Sequence, residues 1–321
     1  MNHQQLNVGV IGLGVMGQRM LARLAAHPQL QPTLIWDANP AALAKTLQQY
    51  PQLKAATSAA QLIAAPGLHS LYIATPPAPH MALTELAFDA GLAVFCEKPL
   101  TVDFAAARLC IDRIALEGQR AAVNFALASS KGLGLLLASP REDWRRVELE
   151  VSFARWPRPW QAAAGAWLGE RAEGGFTREV LSHFIFVLQR VLGPARVLSS
   201  VATYPQDGRS AETELRADLD VAGVAVGISG KVGGKVGDDM DDQNRMLWST
   251  GERELELKQW FSEIEQRGCE AQIPAQLAQI DQLDQWAAMI EGRPHSLPGY
   301  AEALAVQQTI ESLLNPSKNK E

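Results

Sequence analysis

The sequence predicts an α/β fold in two parts: a doubly wound parallel sheet at the N-terminus, then an α+β domain with a largely antiparallel, open-faced sheet. Three observations carry this. A short apolar run at 6–11 meets a glycine-rich turn, Gly12-Leu13-Gly14-Val15-Met16-Gly17. Strand-length apolar runs then alternate with helix-period segments as far as residue 120, the pattern of a parallel sheet covered on both faces. Beyond that point Val147, Leu149, Val151 and Phe153 alternate with Glu148, Glu150 and Ser152, which is the period of a half-buried strand.

Taken in order, Leu6-Asn7-Val8-Gly9-Val10-Ile11 reads as a buried strand. The helix after the turn carries Met20, Leu21, Leu24 and Ala25 and stops near Pro28. A second strand, 33–36, ends at Asp37. The next helix follows Asn39-Pro40, with Asn39 placed to cap it and Pro40 at its first position. Strands at 70–74 and 93–96 flank a helix from His80 to Ala90. In the second part, strands are expected at 147–153, 197–203, 215–219, 224–228 and 254–257, with a helix from Arg178 to Val191 and closing helices at 274–291 and 299–314. The domains are therefore set at 1–120 and 121–315, with a polar tail at 316–321.

Composition narrows the function. Of 321 residues, 47% are hydrophobic and 20% charged, values of a globular protein. The net charge is 29 − 35 = −6 and no basic stripe appears, so no nucleic-acid partner is expected. No apolar stretch reaches 18 residues, so no membrane partner is expected either. Cys96, Cys110 and Cys269 show no CxxC spacing and suggest no metal site. Together with an N-terminus lacking a signal pattern, they predict a cytoplasmic setting.

The glycine turn has a chemical reading. Gly12 permits a tight turn, Gly14 lets the backbone approach a pyrophosphate, and Gly17 lets helix and strand pack closely. The helix N-terminus, at Val15 and Met16, attracts the phosphate charge. Asp37, 20 residues past Gly17, ends the second strand where a carboxylate accepts from the adenosine ribose hydroxyls. The same carboxylate repels a 2′-phosphate, and Ala38-Asn39 supplies no cation to receive one. The expected cofactor is NAD rather than NADP.

Two later stretches, Ile73-Ala74-Thr75-Pro76-Pro77-Ala78-Pro79-His80 and Phe95-Cys96-Glu97-Lys98-Pro99-Leu100, resemble the TPxxxH-like loop and EKP motif of the Gfo/Idh/MocA oxidoreductases. Glu173-Gly174-Gly175, leading to Glu179 and His183, is similar to that family's glycine pair and acid–histidine helix, and Leu192-Gly193-Pro194 and Gly292-Arg293-Pro294 are similar to its closing pattern. The resemblance implies a dehydrogenase or reductase acting on a small molecule such as a sugar or cyclitol. It implies that Thr75, Pro76, His80, Glu97 and Lys98 line the cofactor, that Lys98 is the general acid/base, and that His183 orients the substrate oxygen. It also implies a homodimer or homotetramer through the C-terminal sheet, whose outer face is expected to be partly apolar, with Ala217 and Leu219 beside Arg216, Asp218 and Asp220, and Val224, Val226 and Ile228 beside glycines.

The sequence departs from the family on the substrate side. Glu179 stands where relatives carry aspartate, Asn124-Phe125-Ala126 replaces an N-F-R-like stretch, and Phe186 stands at another common aspartate position. Two other readings thus stay open: imine reduction on the same fold, and a non-catalytic NAD(P)-binding sensor. Retention of both Lys98 and His183 weighs against the sensor. The run Arg155-Trp156-Pro157-Arg158-Pro159-Trp160 either lines a pocket or packs as a proline-stiffened connection.

Overall fold

The computed structural model describes residues 4–234, 236–237, 240–268 and 281–315. Cys269, Lys235, residues 274–280 of the expected closing helix and the polar tail lie outside these. The chain divides into two compact units, Met1–Phe125 with Ile280–Leu304, and Ala126–Gln279 with Ala305–Glu321.

In the first unit, β1 (Leu6–Ile11), β2 (Leu30–Trp36), β3 (Lys54–Ala55), β4 (Ser70–Ile73), β5 (Ala93–Glu97) and β6 (Ala121–Asn124) form one parallel sheet in the order β3-β2-β1-β4-β5-β6. That order reverses between β1 and β4, the switch point at which doubly wound sheets hold ligands. Strands β4 and β5 are buried at every position, as central parallel strands must be. The connecting helices are α1 (Val15–Ala26), α2 (Pro40–Gln49), α3 (Ala59–Ile63), α4 (His80–Asp89) and α5 (Phe104–Glu117). Asn39 caps α2 through the backbone N–H of Ala41, as expected from Asn39-Pro40.

The 121–315 expectation for the second domain needs correction at both ends. Strand β6 belongs to the first sheet, because Val94–Glu97 pair with Ala121–Asn124. The helix Gln282–Ile290 returns to that unit as well. Its Trp286 has no exposed surface, packs 5.0 Å from Phe95 and 5.8 Å from Tyr72, and donates its indole N–H to Ser70 Oγ at 2.9 Å. Strand periodicity cannot announce such a return, since the helix pattern looks the same in either unit.

The second unit is built on a seven-stranded sheet. Its strands are β7 (Arg146–Phe153), β8 (Ala195–Thr203), β9 (Glu214–Val221), β10 (Val224–Val232), β11 (Asp242–Ser249), β12 (Glu254–Lys258) and β13 (Glu263–Arg267), in the order β13-β12-β11-β7-β10-β9-β8. Only β7 and β10 run parallel; the other neighbours are antiparallel. The unit's helices are α6 (Lys131–Ala138), α7 (Ser182–Leu192) and residues 305–314 of the closing helix Tyr300–Leu314, and α7 is preceded by a π turn at Thr177–Leu181. Strands β11 and β13 escape a reading by periodicity. The inward row of β11 includes the polar Asn244, and β13 carries a single apolar residue, Ile264.

The expected apolar outer face is also corrected. Ala217, Leu219, Val224, Val226 and Ile228 are all buried, whereas the alternate residues Arg216, Asp218, Ala225, Ser229 and Lys231 are exposed. Period-two geometry sends the two sets to opposite faces, so apolar and charged neighbours in sequence do not share a surface. Among the described residues, the large apolar side chains that this sheet exposes are instead Leu198 and Val201 on the edge strand β8.

Trp286 joins the returning helix to the first sheet by both packing and a buried hydrogen bond. Trp286→Ala is expected to destabilise the protein by about 3–5 kcal/mol, the range for emptying a large aromatic site. The midpoint of urea unfolding measures it, and an unchanged midpoint would show that the helix is not held there.

Candidate active site

The glycine turn is built by close packing. Gly12 has φ +94°, and a Cβ there would lie 2.5 Å from the carbonyl of Ala74. A Cβ on Gly17 would lie 2.0 Å from the Gly12 carbonyl oxygen. These two glycines are demanded by the protein itself. Gly14 is not: it is exposed, its φ is −67°, and a Cβ there meets nothing within 4 Å. Nothing in the described structure requires a glycine there. The helix α1 that follows has no side-chain cap and no acidic residue in its first turn, which leaves its N-terminus open to an anion.

Asp37 is tied directly to the turn. Its Oδ2 accepts from the backbone N–H of Leu13 at 2.6 Å and its Oδ1 from Asn39 at 2.7 Å. Each carboxylate oxygen has a second lone pair, so both remain able to accept from a ribose. Gln18 braces the turn from the helix side, donating to the Leu13 carbonyl and to Thr46 Oγ1. Val15 and Met16 are half-buried beside it.

After β4, Thr75 and Pro76 continue the same rim. Thr75 Oγ1 is buried without a hydrogen-bond partner, a vacancy that a ligand hydroxyl or amide fits. His80 has no exposed surface, and its two ring nitrogens face the carbonyls of Thr75 and Leu100 at 2.9 and 3.1 Å. Burial lowers its pKa, and the carbonyls of Thr75 and Leu100 oppose that shift. Its part is therefore to brace the loop between β4 and α4 against the segment after β5.

Glu97 is likewise buried beneath Lys98. Its Oε1 accepts from the Tyr72 hydroxyl and, at 2.7 Å, from Asn124 Nδ2; Asn124 Oδ1 in turn accepts from Gln282 Nε2 at 2.8 Å. Burial, and then the Glu97 charge, hold the Tyr72 hydroxyl well above its ordinary pKa, so it stays a donor. This network pins the end of β5 that presents the half-buried Lys98. Tyr72, Asn124 and Gln282 carried no sequence signal for this role, because each lies on a different element.

Glu179 and His183 are in the second unit. Both are buried, Glu179 in the π turn and His183 in the first turn of α7. A π turn spaces residues more widely than an α-helix and recurs at functional sites. His183 Nδ1 accepts from the backbone N–H of Ala126 at 3.3 Å. The π turn is anchored by Glu212, a buried carboxylate that accepts from Thr177 N at 2.7 Å and fills the space where a Cβ on Gly175 would sit. Burial raises the Glu212 pKa. The pair Gly174-Gly175 is thus explained by close approach to this acid and to the Trp167 and Leu168 carbonyls. Arg178 is turned to a salt bridge with Glu311 at 2.6 Å. Among the described residues no cluster could hold a metal ion, and no helix is long and apolar enough to cross a membrane.

Comparison with known proteins bears on both units. Residues 6–125 match the Gfo/Idh/MocA model, an oxidoreductase family with an NAD-binding Rossmann fold. Levoglucosan dehydrogenase of Pseudarthrobacter phenanthrenivorans is 34% identical over 105 residues, 30% of this chain and 27% of that protein. Inositol 2-dehydrogenase of Corynebacterium glutamicum is 33% identical over 101 residues, 31% of this chain and 30% of that protein. The matched stretch therefore spans under a third of these relatives' length. Over the whole chain the fold is similar to the WlbA dehydrogenase of Bordetella pertussis, solved with NADH and UDP-GlcNAcA: TM-score 0.83, 16% identity, covering 99% of this chain and 98% of that one.

The contacts of Asp37 yield a test. Asp37→Ser removes a charged acceptor and is expected to weaken NADH binding about 10- to 100-fold, the worth of one charge-assisted hydrogen bond or two. It should narrow the preference over NADPH at the same time. Fluorescence titration with both cofactors checks this, and native binding of NADPH as tight as NADH would contradict it.

Proposed function

We propose, for a chain whose N-terminal domain belongs to the NAD-binding Gfo/Idh/MocA oxidoreductases, that the protein is an NAD-dependent dehydrogenase of a small secondary alcohol, a sugar or cyclitol. The observation that carries the reading is Gly14, a glycine with open space around it at the head of an uncapped helix, next to Asp37. Thr75 Oγ1, buried and unpartnered, fits the same ligand. When bound, NAD supplies the hydride acceptor at nicotinamide C4. The protein's own task is to bind it, orient the alcohol and move the hydroxyl proton.

Binding falls to the amides at the start of α1, which face the pyrophosphate, and to Asp37, which accepts from the adenosine ribose. Lys98 takes the hydroxyl proton as the alcohol is oxidised and returns it in the reverse direction. Its Nζ is carried on a strand end that Glu97, Tyr72 and Asn124 fix from below. His183, whose Nδ1 accepts from Ala126, donates to the substrate oxygen through Nε2. Glu179 lies one turn before it and completes the polar lining. This division of labour favours alcohol oxidation over imine reduction, because it supplies both a proton acceptor and an oxygen donor. A sensor would need neither.

The free, buried thiols of Cys96 and Cys110 fit a cytoplasmic setting. We also propose self-association through the C-terminal sheet, where the exposed Leu198 and Val201 sit beside a polar face. Light scattering across a dilution series is expected to give twice or four times 34.9 kDa, and a mass of 34.9 kDa throughout would exclude it.

Lys98→Ala tests the mechanism. It is expected to lower kcat by roughly 10²- to 10⁴-fold, the range for losing a general acid/base, with NADH affinity within about twofold of native. NADH formation at 340 nm against a panel of polyols measures it. A fully active alanine variant would remove Lys98 from the chemistry.

A further inference from the structure

The hairpin between β12 and β13 turns through Gln259, Trp260 and Phe261 with φ values of 50°, 57° and 64°. Left-handed backbone is disfavoured for any residue with a Cβ, and tight hairpins usually place glycine or asparagine there. Three such residues in succession mark strain, which persists only where the surroundings over-determine it. Burial of Trp260 does not account for the strain, since that side chain stays half-buried.

Asn244 holds the turn. Its backbone carbonyl accepts from Gln259 N at 3.2 Å and its side-chain oxygen from Trp260 N at 2.7 Å. It shares the inward row of β11 with Met246 and Trp248, neither of which has exposed surface. Asn244 Nδ2 is buried in that row without a hydrogen-bond partner among the described residues. Burying an amide in this way is unfavourable, and an apolar side chain would avoid it. The amide therefore serves the turn, not the core.

The turn sets two rings against α7. Trp260 lies 5.5 Å from Phe184, and Phe261 lies 5.9 Å from the same ring. Trp260 also meets the His183 ring edge-on, at 5.4 Å and an interplanar angle of 77°. The indole has further supports. Its Nε1–H points to Asp242 Oδ2 at 3.3 Å, and the Arg158 guanidinium lies 5.8 Å from its ring. Arg158 is bonded to Asp242 at 2.7 Å and stands 4.6 Å from Trp160 and 5.7 Å from Trp156. The Arg155–Trp160 run thus packs against the hairpin. From another side Phe261 is buried against Gly132 of α6, where a Cβ would come within 2.8 Å of the phenyl ring.

A histidine ring needs such neighbours. Rotation about its last side-chain bond is broad and two-fold, so the rotamer alone does not set the ring plane. The contact of Nδ1 with the Ala126 N–H is long, at 3.3 Å. An indole edge held from three sides removes freedom that this contact leaves. We infer that the Gln259–Phe261 hairpin is a positioning element for His183: Trp260 fixes the plane of the imidazole, and Asn244 holds Trp260 in place. Both act through His183 and not on the substrate. The inference rests on the dehydrogenase reading for its consequence, because a donor to the substrate oxygen must keep its aim. A misplacement of about 1 Å is enough to cost about 100-fold in rate.

The test uses the full chain and the variants Trp260→Ala, Asn244→Ala, Gly132→Ala and the conservative Trp260→Phe. Gly132→Ala disturbs the hairpin beneath Phe261 and leaves Asn244, Trp260 and His183 in the chain. Proton–carbon NMR spectra of the six histidine side chains report the ring without any need for activity, with His183→Gln assigning its signal. In Asn244→Ala and Gly132→Ala the indole is still present, so a moved His183 signal reports a changed placement of the two rings. Rates at 340 nm on the polyol panel give kcat and KM, NADH fluorescence gives cofactor affinity, and circular dichroism checks folding. Asn244→Ala and Gly132→Ala are expected to move the His183 signal more than that of any other histidine. Together with Trp260→Ala they should lower kcat about 10- to 100-fold, with KM changed less and NADH affinity unchanged. Trp260→Phe should restore most of the loss. A native His183 signal in both Asn244→Ala and Gly132→Ala overturns the inference, as does a moved signal with native kcat. Loss of NADH binding along with kcat in every variant also overturns it, because that marks a general loss of structure. Native protein that binds NADH yet oxidises no panel member defeats the dehydrogenase reading; the histidine signals then decide the hairpin's hold on the ring by themselves.

Discussion

The first unit depends on one close approach, between Gly12 at the end of β1 and the Ala74 carbonyl at the end of β4. With 2.5 Å between that carbonyl and any Cβ at position 12, only glycine lets β1 and β4 sit side by side at the switch point. The turn then reverses tightly enough for Gly17 to lie on the Gly12 carbonyl, which aims the axis of α1 at the crevice. Asp37 locks the turn from the other side by accepting from Leu13. Sheet order, helix direction and the placement of an acid beside the helix N-terminus all follow from that one packing constraint.

Most of this was legible in the sequence, because it is local. Strand, turn, helix, strand and acid lie within residues 6–37, and each has its own composition. The same holds for Asn39-Pro40 as a helix start. The alternation in 147–153, 215–219 and 224–228 gave away the second sheet, although not which alternate set faced out. What was not legible is non-local. The network beneath Lys98 draws Tyr72, Glu97, Asn124 and Gln282 from three strands and a helix, with Asn124 and Gln282 alone 158 residues apart in the chain. His80 carries the family pattern of a cofactor-loop residue, yet its complete burial shows it working from underneath. Sequence spacing says that such residues matter and does not say which way they point.

The second unit shows the same division between a regular frame and irregular points of function. Its regular elements bury alternate residues without strain. Two of its irregular features adjoin His183: the π turn at Thr177–Leu181 leads into the helix that carries it, and the left-handed run at Gln259–Phe261 puts Trp260 against its ring. Glu212 holds the one and Asn244 the other, each through a buried polar side chain bonded to the backbone. Two departures from regular geometry, each with a dedicated anchor, thus lie next to His183 in sequence or in space.

The most direct measurement of the central claim, that the Gly12–Asp37 crevice is the NAD site of a dehydrogenase, is a crystal structure of the chain grown with NADH. The account predicts the pyrophosphate over the amides at the start of α1, the adenosine ribose hydroxyls on Asp37, and the nicotinamide beside Lys98. Density for the cofactor elsewhere, or a crevice in which Asp37 makes no contact with the ribose, would contradict it.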